Sequence, residues 1–485
     1  MENLPPAPDG IDPDALRTAL DVVAAAAALP ADHPDSLAVQ RAAAGLFKHH
    51  RKRRRREARE AVLAHDRAVD ARTATAAPGR IDDETGGLPL ESRATGPTAG
   101  TLLRARACYV CKEPFTDVDS HYHQLCPRCA SRNHARRDAR TDLSGRRALL
   151  TGGRAKIGMY IALRLLRDGA HTTITTRFPR DAVRRFRALP DADEWFDRLS
   201  IVGIDLRNPA QVVDLAESVA EEGPLGILIN NAAQTVRRSP RAYALLADAE
   251  AAPLPPGPMP PVRVFGPDAH ASHALEDGAH PPHWSPTPEA VTQLALTALS
   301  ATPERIAART AIDAGGLVPD LDADNSWSQV VHEVDPRELL EVQLCNATAP
   351  FILINRLRAA LAAGATAHGR AYVVNVSAME GQFGRGYKGP GHPHTNMAKA
   401  ALNMLTRTSA GEMFATDRIL MTAVDTGWIT DERPHPTKMR LADEGFHAPL
   451  DLVDGAARVY DPIVRGEAGD DVHGCFLKDY EPSPW

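Results

Sequence analysis

The sequence has no long apolar run. A helix that spans a membrane needs about 20 consecutive apolar residues, whereas the longest run, LDVVAAAAALP at 20–30, is shorter and flanked by charge. The amino terminus, MENLPPAPDG, also lacks the basic start and the apolar stretch of a secretion signal. These absences predict a soluble cytoplasmic protein without a membrane partner.

Cysteine is scarce and basic residues are not in excess. Six cysteines in 485 residues are too few for a disulfide scaffold and favour a reducing compartment. The 56 basic residues are outnumbered by 62 acidic ones, which argues against a nucleic-acid-binding protein as a whole. With 43% hydrophobic residues, a chain of this length has material for one large core and extra modules.

Residues 1–101 are predicted to form a partly helical, partly disordered extension. A helical pattern from Ser36 to about Ala71 contains the basic run KHHRKRRRRE at 48–57, and a linker rich in Gly, Pro and Thr follows at 74–101. The basic run has two interpretations: a site for nucleic acid or another anionic partner, or a solvated basic helix. The second interpretation is favoured, so we do not expect nucleic acid to be the partner.

Four of the cysteines have the spacing of a metal site. The spacing CxxC, fourteen residues, CxxC predicts a zinc-binding module at 102–138, because each pair places two thiolates within reach of one tetrahedral ion. Four sulfur ligands leave no open position for a substrate, so the zinc is expected to be structural. His121 and His123 are a weaker alternative ligand pair. The module either braces the first strand or docks a protein partner. The four expected ligands are Cys108, Cys111, Cys126 and Cys129.

The remaining chain, 143–485, alternates short apolar runs with helical stretches. Runs such as RALLTGG, LGILINNAA and AYVVNVSAM are typical of strands covered on both faces. Their alternation with helices indicates an α/β fold with a parallel sheet. An insertion at about 239–324 interrupts the pattern, and from Asp248 to Asp324 it has eleven acidic residues against three arginines. We expect this insertion to be a lid or an arm that binds a partner.

Three motifs follow the strands in order. TGGRAKIG at 151–158 joins the first strand to a helix, GIDL at 203–206 follows the third strand, and INNAA at 229–233 follows the fourth. Such a glycine turn lets the backbone approach a pyrophosphate at the positive end of a helix. In these motifs the chain resembles the short-chain dehydrogenase/reductase family, from 143 to about 480 with the insertion excepted. The resemblance implies a Rossmann-type doubly wound parallel sheet, preceded by the small zinc module.

The resemblance implies a dinucleotide site along these motifs. Lys156 replaces the family's second glycine, which the turn tolerates if φ of this lysine is negative. Arg177 closes the second strand, where an NAD-binding member has an acidic residue, so Arg177, Arg154 and Lys156 favour the 2′-phosphate of NADP(H). The alternative is a surface arginine without a cofactor preference. The residues expected at the cofactor are Gly152, Arg154, Lys156, Ile157, Gly158, Arg177, Asp205, Leu206, Asn231, Ala232, Lys399, Gly427 and Thr430.

The resemblance also implies a catalytic set with one member missing. Asn346, Ser377 and Lys399 occupy the family's asparagine, serine and lysine positions, whereas Thr395 stands where the family has its tyrosine. An aliphatic hydroxyl is too weak an acid for that role. The segment GRGYKGPGHPH at 384–394 supplies replacements, since histidine titrates nearest to neutral pH and a tyrosine offers the original chemistry. The candidate proton donors are His394, His392 and Tyr387; the other alternative is a site without proton transfer.

These observations lead to two expected functions. The first is an NADP(H)-dependent oxidoreductase that acts on a carbonyl or alcohol, or on an imine or activated double bond, of a small molecule with a non-standard proton donor. The second is a catalytically weakened NADP(H)-binding protein that recruits a protein or nucleic acid through its zinc module and basic helix. Members of the resembled family commonly assemble, so we also expect a homo-oligomer.

Overall fold

One nine-stranded sheet forms the centre of the part of the chain that the structure describes. The structure is a computed structural model, and it describes residues 10–77, 80, 90–254, 256–265, 313, 316–318, 320, 322–386 and 388–485. These residues fall into two compact units. The smaller unit contains the chain up to Ala68 together with Leu102–Arg104, and the larger contains Val69–Thr101 and Ala105–Trp485.

The smaller unit consists mainly of two helices. Helix α1 (Pro13–Ala28) begins at Asp12, whose carboxylate accepts hydrogen bonds from the amides of Asp14 and Ala15. Helix α2 (Pro34–Asp70) contains the basic run. The side chains of that run are exposed except for the half-buried His50, so the run has no buried partner within the described chain.

A hairpin and a short helix carry the four cysteines. Strands β1 (Thr98–Ala107) and β2 (Pro114–Asp119) pair antiparallel, and helix α3 (Pro127–Arg137) follows them. Proline at the first position of α3 suits a helix start because its missing N–H would have no intrahelical partner there. Most of this hairpin, the helix and the large sheet belong to the larger compact unit.

The large sheet has the strand order β11-β10-β9-β8-β6-β3-β4-β5-β7. Every neighbouring pair is parallel except β10 and β11. The order reverses beside β3, which creates the crevice where such sheets bind ligands. The strands are β3 (Arg147–Leu150), β4 (His171–Thr176), β5 (Leu199–Gly203), β6 (Ile227–Asn230), β7 (Val262–Val264), β8 (Ala371–Ser377), β9 (Ile419–Asp425), β10 (Phe476–Lys478) and β11 (Glu481–Ser483).

Helices cover both faces of this sheet. One apolar cluster packs α4 and α12 against it, and a second packs α6, α9 and α10 against the other face. The expected Rossmann-type doubly wound fold is therefore confirmed. The helices are α4 (Lys156–Arg167), α5 (Pro179–Arg187), α6 (Pro209–Glu221), α7 (Ala244–Ala251), α8 (Pro336–Gln343), α9 (Ala349–His368), α10 (Pro393–Asp417), α11 (His435–Asp443) and α12 (Leu452–Glu467).

The described part of the insertion contributes to the sheet. Strand β7 pairs in parallel with β5, and Val318 donates a backbone hydrogen bond to the carbonyl of Ala242. Residues 266–312, which contain much of the expected acidic arm, lie outside the described residues. Within the described chain, no helix has the length and apolar character that a membrane crossing requires.

Candidate cofactor cleft and cysteine cluster

The glycine turn after β3 has the close approaches that require glycine. Gly152 has φ +71°, and a Cβ there would lie 3.0 Å from Cα of Ala232. A Cβ at Gly158 would lie 2.0 Å from the carbonyl oxygen of Gly152. The turn therefore packs against the segment after β6 and leads into α4 at the sheet's reversal point, where a helix start favours a pyrophosphate.

Lys156 has a left-handed backbone conformation. Its φ is +52°, so the condition of a negative φ is not met, and the lysine adopts the conformation that a glycine adopts readily. That conformation costs a non-glycine residue about 1 kcal/mol. Its Nζ lies 3.2 Å from Oδ2 of Asp313, a buried residue at the end of the insertion. The ammonium is therefore paired with a carboxylate beside the turn.

Asn231 closes the inner side of the turn. Its Nδ2 donates 3.0 Å hydrogen bonds to the carbonyls of Thr151 and Gly152. The Thr151 hydroxyl accepts hydrogen bonds from the amides of Asn231 and Ala232. The buried Oδ1 of Asn231 has no hydrogen-bond partner among the described residues, so it is an acceptor available to a bound molecule.

Two arginines lie beyond the ends of β3 and β4. Arg154 is paired with Asp181 at 2.5 Å and lies over the ring of Phe178. Arg177 lies against the rings of Phe178 and Tyr243 and donates to the Tyr243 hydroxyl over 3.2 Å. Among the described residues, no carboxylate lies within ion-pair distance of Arg177. The two aromatic rings therefore orient the Arg177 guanidinium, and no carboxylate of the described residues forms an ion pair with it.

The segment after β5 has its own ion pair. Asp205 accepts a 2.9 Å hydrogen bond from Arg207 Nε. Burial alone would raise the pKa of Asp205, but the hydrogen bonds from Arg207 bring it below its ordinary value. Leu206 is buried in the apolar cluster around α6 and α9, and the half-buried Ile157 packs toward Gly455 of α12.

Lys399 lies inside the protein, against the end of β8. Its side chain on α10 is buried, and Nζ donates a 2.8 Å hydrogen bond to the carbonyl of Val376 in β8. Burial lowers the pKa of Lys399 to about 8. Among the described residues, no carboxylate forms an ion pair with it. The thiol of Cys345 interacts electrostatically with Lys399, and burial raises the pKa of this thiol to about 11.

Ser377 is turned toward α10. The serine is 2% exposed, and its hydroxyl donates a 2.5 Å hydrogen bond to Oδ1 of Asn403. Sequence reasoning missed Asn403, although its position four residues after Lys399 places both on one face of the helix. Nδ2 of Asn403 is buried without a partner in the described chain. For Ser377 to donate a hydrogen bond to a substrate oxygen, this bond would have to break, because a hydroxyl has one proton to donate.

Asn346 holds the start of α9 against the segment after β6. It lies in a π-helical turn, Leu344–Thr348, of a kind that often occurs at functional sites. Its amide exchanges two backbone hydrogen bonds with Gln234: Nδ2 donates over 2.9 Å, and Oδ1 accepts over 2.8 Å. The structure therefore gives Asn346 an architectural contact at the cleft.

The start of α10 uses Thr395 and His392 for local contacts. The Thr395 hydroxyl donates over 2.9 Å to the carbonyl of His392. His392 has φ +42°, stacks on Trp327 with 4.0 Å between ring centroids, and has Nδ1 2.9 Å from the Trp327 carbonyl. Burial lowers the pKa of His392. Tyr387, the third candidate proton donor, lies outside the described residues.

His394 has a different environment. It is 2% exposed, and Nε2 lies 3.8 Å from Oε1 of Glu338 in α8. Neither ring nitrogen has a hydrogen-bond partner among the described residues. Burial would raise the pKa of Glu338, but His394, the Ser326 hydroxyl and the Arg237 amide lower it. Nothing in the sequence around Glu338 indicated this pairing.

The segment after β9 turns at Gly427. This glycine has φ +76°, and its amide donates to Oδ1 of Asp425 over 3.2 Å. Burial raises the pKa of Asp425 to about 6. The next amide, that of Trp428, donates to the hydroxyl of Tyr109 over 2.9 Å. Thr430 is half-buried at the end of this turn.

The four cysteines lie together. Their Sγ atoms are all within 4.8 Å of one another, and those of Cys111 and Cys126 are 3.7 Å apart. That separation is too long for a disulfide, whose sulfurs lie about 2.0 Å apart. It fits the edge of a tetrahedron with metal–sulfur bonds of about 2.3 Å. The Cys126 amide also donates to Sγ of Cys108. The residues present therefore fit a structural zinc ion.

The alternative histidine ligands lie in other contacts. His121 Nε2 is 3.3 Å from Asp451, and His123 Nδ1 is 2.8 Å from the Thr75 hydroxyl. Asp451 is already paired with Arg137 at 2.6 Å. Because a guanidinium compensates this carboxylate, the group around His121 is an ion-pair network rather than a second metal site.

The chain is similar to several known proteins. The family model described as short chain dehydrogenase matches residues 146–250. An uncharacterised protein of Acanthamoeba polyphaga mimivirus is 30% identical over 376 residues, 74% of this chain and 71% of that protein. A probable oxidoreductase of Streptomyces antibioticus is 38% identical over 91 residues, 19% of this chain and 30% of that protein. A solved structure, carbonyl reductase Sniffer of D. melanogaster, is 18% identical, with a TM-score of 0.43, over 70% of this chain and 100% of that one.

Proposed function

The chain belongs to the short-chain dehydrogenase/reductase family, and from that premise we propose that it is an NADP(H)-dependent oxidoreductase. The proposed reaction interconverts a carbonyl and an alcohol of a small molecule, or reduces an imine or an activated double bond. A probable oxidoreductase among its relatives supports the reaction class.

The observation that carries the proposal is the buried, unneutralised amine of Lys399. A lysine has three N–H donors when protonated, and the described contacts use one of them, to Val376. Burying such a group without a paired carboxylate is costly, so its retention at the end of β8 points to a ligand. The hydroxyls of a nicotinamide ribose are acceptors of the right chemistry for the remaining donors.

Arg177 supports NADP(H) rather than NAD(H). A guanidinium binds a phosphate through two parallel hydrogen bonds. Stacking on Phe178 and Tyr243 orients Arg177 without neutralising it. Arg154 and Lys156 are already paired with Asp181 and Asp313, so the proposal assigns the 2′-phosphate chiefly to Arg177.

The proposal makes His394 the proton donor and Glu338 its positioning partner. The Thr395 hydroxyl donates a hydrogen bond to a backbone carbonyl, and the ring of His392 stacks on Trp327. Both side chains are therefore used in local contacts. Among the described residues, neither buried ring nitrogen of His394 has a hydrogen-bond partner, and an unsatisfied buried polar group of this kind is consistent with a ligand-binding position. Tyr387 is the second candidate.

In the direction of reduction, bound NADPH supplies the hydride that the carbonyl carbon accepts. His394 gives its proton to the carbonyl oxygen, which becomes the hydroxyl of the alcohol. Lys399 holds the cofactor through the ribose, and Asn231 offers its free Oδ1 to the same molecule.

The test is a fluorescence titration of the purified protein with NADPH and NADH. Lys399→Met should abolish or strongly weaken NADPH binding. The matched control, Lys478→Met, removes a half-buried lysine from β10 and should leave binding unchanged. A panel of carbonyl substrates then follows NADPH consumption. If the wild-type protein binds neither nucleotide, the proposed function is wrong.

A further inference from the structure

A tyrosine between two zinc-ligand positions contacts the turn at Gly427–Thr430, which the resemblance places beside the nicotinamide of the cofactor. Tyr109 lies between Cys108 and Cys111, and its hydroxyl accepts the 2.9 Å hydrogen bond from the Trp428 amide. The Tyr109 amide donates to the carbonyl of Gln124 over 2.8 Å. The phenol is therefore fixed by the cysteine cluster at one end and holds the turn at the other.

The turn that Tyr109 contacts is closely packed. A Cβ at Gly427 would lie 2.6 Å from Cδ1 of Leu450, 3.4 Å from Nε of Arg458 and 3.6 Å from the Tyr109 hydroxyl. With φ +76°, Gly427 already has the conformation that side chains disfavour. The side chains packed around Gly427 therefore determine the backbone conformation that places the Trp428 amide.

The second cysteine pair reaches the same turn by another route. Asn133 on α3 donates to the carbonyl of Cys129 over 2.8 Å and accepts a 3.0 Å hydrogen bond from Nη2 of Arg458. Arg458 is 2% exposed and also donates to Asp479 over 3.0 Å. The first cysteine pair is thus joined to the turn by the Tyr109 hydrogen bond to Trp428, and the second pair is linked through Asn133 to Arg458, which lies beside Gly427.

We propose that Tyr109 is a positioning residue for the cofactor, and that the cysteine cluster orients the turn at Gly427–Thr430 through it. The inference rests on the proposed function for the identity of the ligand. A four-thiolate metal has no open position for chemistry, so its contribution is to fix the Tyr109 backbone. The phenol then holds the Trp428 amide and directs the turn toward the nicotinamide.

The test compares Tyr109→Phe with Tyr122→Phe. Both substitutions remove one hydroxyl from the same module, that of the half-buried Tyr109 or that of the buried Tyr122, but the hydroxyl of Tyr122 contacts Asp454 instead of the turn. Three quantities are measured: zinc per chain, hydrogen exchange of the Trp428 amide, and NADPH affinity. Tyr109→Phe should keep its zinc, exchange the amide about tenfold faster and bind NADPH about tenfold more weakly, as expected for one lost hydrogen bond. Tyr122→Phe should leave the exchange and the affinity unchanged.

The outcomes separate this inference from the proposed function. If the wild-type protein binds NADPH but Tyr109→Phe changes neither amide exchange nor affinity, the inference is overturned and the proposed function stands. If the wild-type protein binds no nucleotide while Tyr109→Phe accelerates exchange at Trp428, the phenol positions the turn and the proposed cofactor is wrong. Equal effects of Tyr109→Phe and Tyr122→Phe would show general loosening of the module and would also overturn the inference.

Discussion

Nζ of Lys399 lies 2.8 Å from the carbonyl oxygen of Val376, and this hydrogen bond joins the second turn of α10 to the end of β8. A carbonyl carries only a partial charge, so it does not compensate a buried ammonium as a carboxylate would. The structure therefore holds a charged group at a cost in folding free energy, which a bound cofactor would offset.

Lys399→Met should stabilise the cofactor-free protein. Methionine fills a similar volume without a charge, so we expect the free energy of unfolding at pH 7 to rise by about 1–3 kcal/mol. The pKa of Lys399 is about 8 in the folded protein against 10.5 ordinarily. Between these values the unfolded chain binds more protons, so wild-type stability rises with pH relative to the variant.

Urea unfolding of both proteins from pH 7 to pH 10.5 measures this difference. The advantage of the variant should shrink as the pH rises above 8. A variant that is less stable than wild type at pH 7, or a gap that does not change with pH, would contradict the assignment of an unneutralised charge to Lys399.

Arg177→Ala should change the cofactor preference. Loss of a charge-assisted contact to the 2′-phosphate should weaken NADPH binding by about 10–100-fold and leave NADH binding nearly unchanged. Arg177→Lys keeps the charge but loses the planar contact with Phe178 and Tyr243, so an intermediate loss is expected. Titration with both nucleotides measures the ratio of dissociation constants.

Arg180→Ala is the matched control, because Arg180 is nearby in the chain and contacts the backbone carbonyl of Glu250. It should not alter the ratio. Equal weakening of NADPH and NADH by Arg177→Ala would assign this arginine to the general packing of the site instead of the phosphate.

The sequence predicted the features that depend on local pattern. The parallel sheet followed from apolar runs between helices, and the requirement for glycine at Gly152 and Gly158 followed from the turn that joins β3 to α4. The φ of Lys156 did not follow, because a polar residue can adopt the left-handed conformation when a contact such as that with Asp313 accompanies it.

No sequence pattern predicted the contacts between residues that are far apart in the chain. Glu338 and His394 are 56 positions apart, and Tyr109 and Trp428 are 319 apart. Neither periodicity nor spacing relates such residues, since only the folded chain brings them together. Asn403 was within reach of sequence reasoning, because it lies one helical turn after Lys399.

His394→Gln should lower turnover by about 100-fold or more, the usual contribution of a general acid. His392→Gln is the matched control: its ring stacks on Trp327, so its turnover should remain near that of wild type. Glu338→Gln should retain part of the activity, since it removes the carboxylate beside the ring but leaves the imidazole in place. The kcat of the three variants checks this. If His394→Gln keeps full turnover, the proton comes from elsewhere, and Tyr387→Phe becomes the next variant to measure.

The cysteine cluster should bind one zinc ion per chain. Four sulfurs within 4.8 Å of one another would repel as thiolates without a cation, so the metal should stabilise the module as well as bind to it. Cys126→Ser and Cys129→Ser should lose the zinc and lower the melting temperature. The matched controls are Cys345→Ser and Cys475→Ser, since both cysteines lie outside the cluster, and these variants should keep the metal. Elemental analysis measures the stoichiometry, and cobalt substitution should produce the thiolate-to-metal absorption of a tetrahedral site. Retention of zinc after a cysteine of the cluster is replaced, or its loss in either control, would place the metal at another set of ligands.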